Sequence, residues 1–201
     1  MLKNINYELL EKFLSAERVG TYLRLADGDK HKASDLYIKN LEQCQFLYVK
    51  LHWLEIGLRN AINRQLSQKY GIEWFDNQHI GFAEKEQSQL KKAREILIKN
   101  RKKPTNGNMV AEINFGLWVN LFNNPYENLW RRCLRQAFTP QTGTIERKKL
   151  SKSLHCILKF RNRIAHYEPI IYYEPIPEYN LLKMQQDIID IVCLIEPNIQ
   201  M

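Results

Sequence analysis

The chain has 201 residues, 44% hydrophobic and 26% charged, with a formal net charge of +8. That is length enough for one compact domain over residues 1–201, and 8 glycines and 7 prolines are too few for a low-complexity or disordered chain. The four cysteines, Cys44, Cys133, Cys156 and Cys193, are widely spaced without a Cys-x2-Cys pair, which argues against a disulfide framework and a zinc site.

The basic balance suits a polyanion, nucleic acid or an anionic membrane surface, and is equally compatible with simple solubility. No window holds the ~18 apolar residues that a membrane span needs. The start, Met1 to Tyr7, lacks the apolar stretch of a signal peptide, so a cytoplasmic protein with no membrane partner is expected.

Helical periodicity runs through the chain, with no repeat and no convincing strand alternation. A first helix is expected over 7–25, then a turn at Ala26-Asp27-Gly28-Asp29. A long helix over 32–70 carries Leu47, Leu51, Leu54, Leu58, Ile62 and Leu66 at the spacing of one buried face, closed by Gly71. A polar helix follows over 83–100, facing Leu90, Ala93 and Leu97 inward, then a basic loop from Arg101 to Asn108. Further helices are expected over 109–122, 126–138 and 145–165, the last two separated by a loop at 139–143. Pro169, Pro175 and Pro177 enforce an extended link. A final helix over 178–196 packs Leu181, Met184, Ile188, Val192 and Ile195. The expected fold class is all-α, a bundle of about six or seven helices.

The helix over 145–165 carries a misplaced charge. At about 100° per residue, Leu154, Ile157 and Ile164 fall within about 40° of Leu150, and Arg161 within about 20°. Arg163 points the other way, toward the expected wet face. A guanidinium on an apolar stripe requires either a buried carboxylate or a cleft that receives it. His166 follows where the helix should fray before Pro169, free to turn back toward Arg161, with Asn162 beside them. This set suits phosphodiester transfer to an internal hydroxyl. Histidine moves a proton near neutral pH, and arginine holds the nonbridging oxygens of the charged transition state. RNA supplies its own nucleophile, the 2′-OH, so neither metal nor cofactor is called for.

Arg161-Asn162-Arg163-Ile164-Ala165-His166 resembles the Arg-(polar)-x3-His motif of the HEPN ribonucleases. Ser15-Ala16-Glu17-Arg18 with Tyr22-Leu23, the run Leu51 to Ile62, Phe115-Gly116-Leu117-Trp118, and Arg161 to Pro169 resemble, in order along the chain, the Abi-like (abortive infection) branch. The resemblance implies a HEPN-like helical fold and metal-independent endonucleolytic cleavage of RNA, leaving a 2′,3′-cyclic phosphate and a 5′-hydroxyl. It implies a toxin-like role in phage defence, with an antitoxin or a phage-derived trigger as the kind of regulator to look for. Arg161 and His166 would be catalytic, with Asn162 supporting them. Some HEPN proteins keep the fold as catalytically silent RNA- or partner-binding modules, which is the alternative reading. A two-fold homodimer, with the helices bearing Arg161 near its axis, would supply a second histidine to a composite site.

Glu55, Arg59 and Asn60 form a supporting set. Glu55 either pairs with Arg59 at i,i+4 or orients Arg161 or His166. Arg131, Arg132 and Arg135 beside Trp130 are either phosphate contacts or a solvated face. Tyr167 either stacks on a base or packs on the proline-rich link.

Overall fold

The computed structural model describes residues 5–171 and 181–199. Their regular structure is helical throughout: nine α-helices and four short 3-10 turns, with no strand. None of these helices is long and apolar enough to cross a membrane. The chain forms two compact units, one from residues 1–49 and 160–183, the other from 50–159 and 184–201.

In the first unit, α1 (Tyr7–Leu14) and α2 (Ala16–Leu25) stand where one helix over 7–25 is expected. The break is Ser15, at φ +93°, whose hydroxyl accepts from the Arg18 N–H at 3.4 Å and so starts a new helix. A serine side chain competes with the helical ladder in this way, a preference that apolar periodicity does not register. The two helices and the start of α3 (Lys30–Tyr70) bury Tyr7, Leu10, Val19, Tyr22, Ala26, Ala33 and Leu36. The Tyr22 and Tyr37 rings meet edge to face at 5.3 Å, and burial pushes the Tyr22 phenol well above its usual range.

In the second unit the leucine stripe of α3 is fully inside: Leu51, Leu54, Leu58, Ile62 and Leu66 are each no more than 3% exposed. Gly71 ends that helix at φ +92°, a backbone that glycine adopts at no steric cost. Trp74 and Trp118, both buried, pack at 5.8 Å, and Trp130 joins Phe122 and Phe138. Trp53 is about half exposed. The helix α4 (Glu84–Lys99) buries Leu90, Ala93 and Leu97 together with Glu86. The Glu86 carboxylate accepts from Asn120 (2.9 Å) and from the Tyr126 hydroxyl (2.7 Å), and burial pushes that phenol up to about 12.

The helix expected over 109–122 is two. Thr105 caps α5 (Asn106–Glu112), and Asn114 caps α6 (Phe115–Asn120), its Oδ1 accepting from the Leu117 N–H at 3.1 Å. The segment 126–138 is likewise divided, with α7 (Glu127–Arg132) ending at the extended φ of Cys133 before a 3-10 turn over Leu134–Ala137. The last two helices are α8 (Arg147–Ala165) and α9 (Leu181–Ile195), the latter burying Met184, Ile188 and Val192. Pro175, Pro177 and the expected helix start at 178 lie outside the described residues.

Three helices close with the same turn. Gly28 N–H reaches back to Leu23 C=O (2.9 Å), Lys102 to Leu97 (2.8 Å) and Glu168 to Arg163 (2.8 Å), the six-to-one bond of a Schellman motif. The residue before each donor is left-handed: Asp27 (φ +52°), Arg101 (φ +55°) and Tyr167 (φ +58°). A non-glycine residue there costs about 1–2 kcal/mol, less for aspartate, whose short polar side chain bonds locally.

Candidate functional site

The last turn of α8 carries Arg161, Asn162 and Arg163, and its C-cap residue is His166. Leu150, Leu154 and Ile157 earlier in the helix are buried, as the wheel requires, while Arg161 and Ile164 are half-buried. Asn162 and His166 are exposed. They are linked through the backbone, His166 N–H donating to Asn162 C=O at 2.9 Å. Their spacing of four puts the two side chains on one face of the helix.

The helix does not fray at His166. Tyr167 N–H bonds Ile164 C=O (3.0 Å) and Glu168 N–H bonds Arg163 C=O, completing the Schellman turn. Arg18, from α2, donates Nη1 to the carbonyls of His166 (3.3 Å) and Tyr167 (2.6 Å). A guanidinium at a helix C-terminus meets carbonyls that have no intrahelical donor, and its charge complements the negative end of the macrodipole.

Arg163 is not the solvent-facing residue the wheel expects. Its side chain is 28% exposed, it donates Nε and Nη2 to the Pro169 carbonyl (3.0 and 2.6 Å), and it lies 3.3 Å from Glu168. The reason is the chain reversal after Ala165, which brings Pro169 under the helix end. A wheel drawn for a straight helix contains no such partner. The buried Asn40 of α3 then fixes the outgoing strand of chain, its Oδ1 accepting from Ile170 N–H at 2.7 Å. Four separate anchors thus hold the residues on either side of His166: the backbone turn, Arg18, Arg163 and Asn40.

The remaining candidates fold in the second unit. Glu55 is half-buried and Asn60 exposed. Arg59 is half-buried, and its Nε is a buried nitrogen with no hydrogen-bond partner among the described residues. Arg131 is an ion-pair partner, bonding Glu127 at 2.8 Å, a carboxylate also held by Arg147. Arg147, and then Arg131, hold that carboxyl below its usual range. Arg132 and Arg135 are exposed, as is the Tyr167 ring of the first unit, at 78%. The four cysteines are free; Cys133 and Cys156 are buried, Cys44 and Cys193 half-buried. Among the described residues no group of three His, Cys, Asp or Glu side chains is placed to hold a metal ion.

Two features escape a reading of periodicity and motif. One is Arg18, 148 residues from His166 in sequence; its stretch Ser15 to Arg18 was a signal of resemblance without an assigned role. The other is His155, whose Nε2 lies 2.6 Å from Asn123 Oδ1, the same oxygen that accepts from Ser151 Oγ at 3.3 Å. Burial, and then the nearby Lys159 and Lys85, lower the His155 pKa. No protein-family model matches the chain, and comparison with curated proteins and with solved structures returns no match.

Proposed function

We propose that the protein is a metal-independent endoribonuclease whose catalytic group is His166, assisted by Arg161 and Asn162. The observation that carries this reading is the last turn of α8: an exposed histidine and asparagine on one face, a half-buried arginine in the same turn, and a backbone held in place around them. A proton-transfer group works best when fixed in position yet open to substrate. The net charge of +8 favours a polyanionic substrate.

In the proposed reaction a base removes the proton of a ribose 2′-OH, and that oxygen attacks the adjacent phosphorus. The bond from phosphorus to the 5′-oxygen breaks, an acid protonates the departing oxygen, and the products are a 2′,3′-cyclic phosphate and a 5′-hydroxyl. Arg161 stabilises the charge on the nonbridging oxygens, and Asn162 orients the substrate. One His166 per chain supplies either base or acid. A homodimer that brings two copies of the α8 end to one RNA supplies both, and such a toxin-like enzyme would serve phage defence under the control of an antitoxin or a phage-derived trigger.

The test is incubation of purified protein with total RNA in EDTA, wild type beside His166→Ala, with the new RNA ends analysed chemically. Cleavage by the wild type alone, leaving cyclic phosphate ends, supports the reading. Intact RNA, or equal cleavage by both proteins, overturns it.

A further inference from the structure

We propose that Tyr167 is a stacking platform for an unpaired nucleobase, set beside His166 by the left-handed turn that ends α8. The proposal rests on the nuclease reading of His166 and adds the part of the substrate that the site would read: a single-stranded base next to the cleaved phosphodiester.

The first observation is that the fold does not call for a tyrosine here. Position 167 is the left-handed residue of a Schellman turn, where glycine fits without strain. The same turn ends α2 with Asp27 and α4 with Arg101, both exposed and both with side chains that water solvates well. Tyr167 is the one of the three that places an aromatic ring in water, 78% exposed. Backbone strain and an exposed ring coincide at this residue, and strained backbone positions gather where ligands are held.

The second observation is how firmly that residue is fixed. Its carbonyl is the nearer of the two that Arg18 clasps, at 2.6 Å, and the chain on either side is tied by the Glu168–Arg163 bond and by Asn40 on Ile170. An exposed ring on an immobilised backbone is a pre-organised surface, which loses little freedom when a flat ligand settles on it. The third is place: the ring belongs to the residue that follows His166 in the same turn, so a base stacked on it belongs to the stretch of RNA on which His166 would act as base or acid. Every base has a π-face, so the platform selects unpaired nucleotides over duplex rather than one sequence over another.

The experiment uses a fluorescent single-stranded RNA carrying 2′-O-methyl at every ribose, which cannot be cleaved. Its binding is followed by anisotropy with wild type, Tyr167→Phe, Tyr167→Gly and Tyr167→Asn, and each protein's thermal unfolding is recorded. Phenylalanine keeps the ring and binds like wild type. Glycine and asparagine accept the left-handed turn, so their unfolding midpoints are held or raised by about 2–4 °C, while binding weakens by roughly 5- to 100-fold, the loss of one stacked base. A duplex of the same sequence binds all four proteins alike. Undiminished binding by Tyr167→Gly and Tyr167→Asn, or loss of binding by Tyr167→Phe, overturns the platform. The nuclease reading fails separately: if unmodified RNA stays intact while the glycine variant still loses binding, the platform stands and the cleavage does not.

Discussion

The surroundings of His155 and of His166, eleven residues apart on one helix, differ in a way that separates a histidine in use by the fold from one kept available. His155 is half-buried, its Nε2 occupied by Asn123 at 2.6 Å, and its pKa is lowered by burial and by Lys159 and Lys85. At His166 the fold takes hold of the backbone instead. The amide, the carbonyl and the neighbouring residues are all bonded, and the imidazole is left in solvent. The lesson is where the stabilising contacts fall. Contacts to a side chain consume its chemistry, whereas contacts to the main chain around it preserve that chemistry and fix its position.

Replacing each histidine with alanine is the strongest way to break the contrast. His166→Ala should lower RNA cleavage by 10²–10⁴-fold, the usual loss of a proton-transfer group, with stability changed by no more than about 0.5 kcal/mol because the ring is exposed. His155→Ala should do the reverse, keeping cleavage and losing stability. Cleavage rates and denaturant midpoints for the pair decide it; a stability loss at His166 equal to that at His155 would erase the distinction.

Next in size is Asn40→Ala, which leaves the buried Ile170 N–H unpaired and should cost about 1–3 kcal/mol in a urea titration. Arg18→Ala should cost less, about 0.3–1 kcal/mol, since it removes an exposed cation from a helix C-terminus. It should still lower cleavage, because the turn bearing His166 loses its side-chain clasp, and Arg18→Lys should restore part of it.

The smallest effect is in pH. The lowered pKa of His155 means that the unfolded state binds its proton first on acidification. Its contribution to stability is therefore complete above the ordinary histidine value of 6.5 and is lost as pH falls through and below it. Urea midpoints at pH 7.5 and 5.5 should differ by more in the wild type than in His155→Asn.

The buried faces of the helices were legible from apolar spacing, because burial repeats with the helical period: Leu51 to Leu66 in α3, and Leu150, Leu154 and Ile157 in α8 are all inside. The helix breaks were not, since Ser15 and Asn114 act through single side-chain bonds to backbone amides that leave no period. Within the candidate site, Arg161 is half-buried and His166 exposed, on a turn that is held by backbone bonds where a reading of residue type and position suggests fraying. Arg163 escaped it because its partner, Pro169, is created by a reversal of the chain. Arg18 escaped it because nothing local links it to His166.

That last separation has a consequence in time. The clasp of Arg18 on His166 joins groups 148 residues apart. At the ~5–20 residues per second of protein synthesis, Arg18 is added to the chain roughly 7–30 s before the carbonyls it will hold exist. Through that interval a growing chain carries the docking arginine without the histidine. The proposed cleaving turn can take its clasped form only once the ribosome that made the chain has moved well beyond the rest of it.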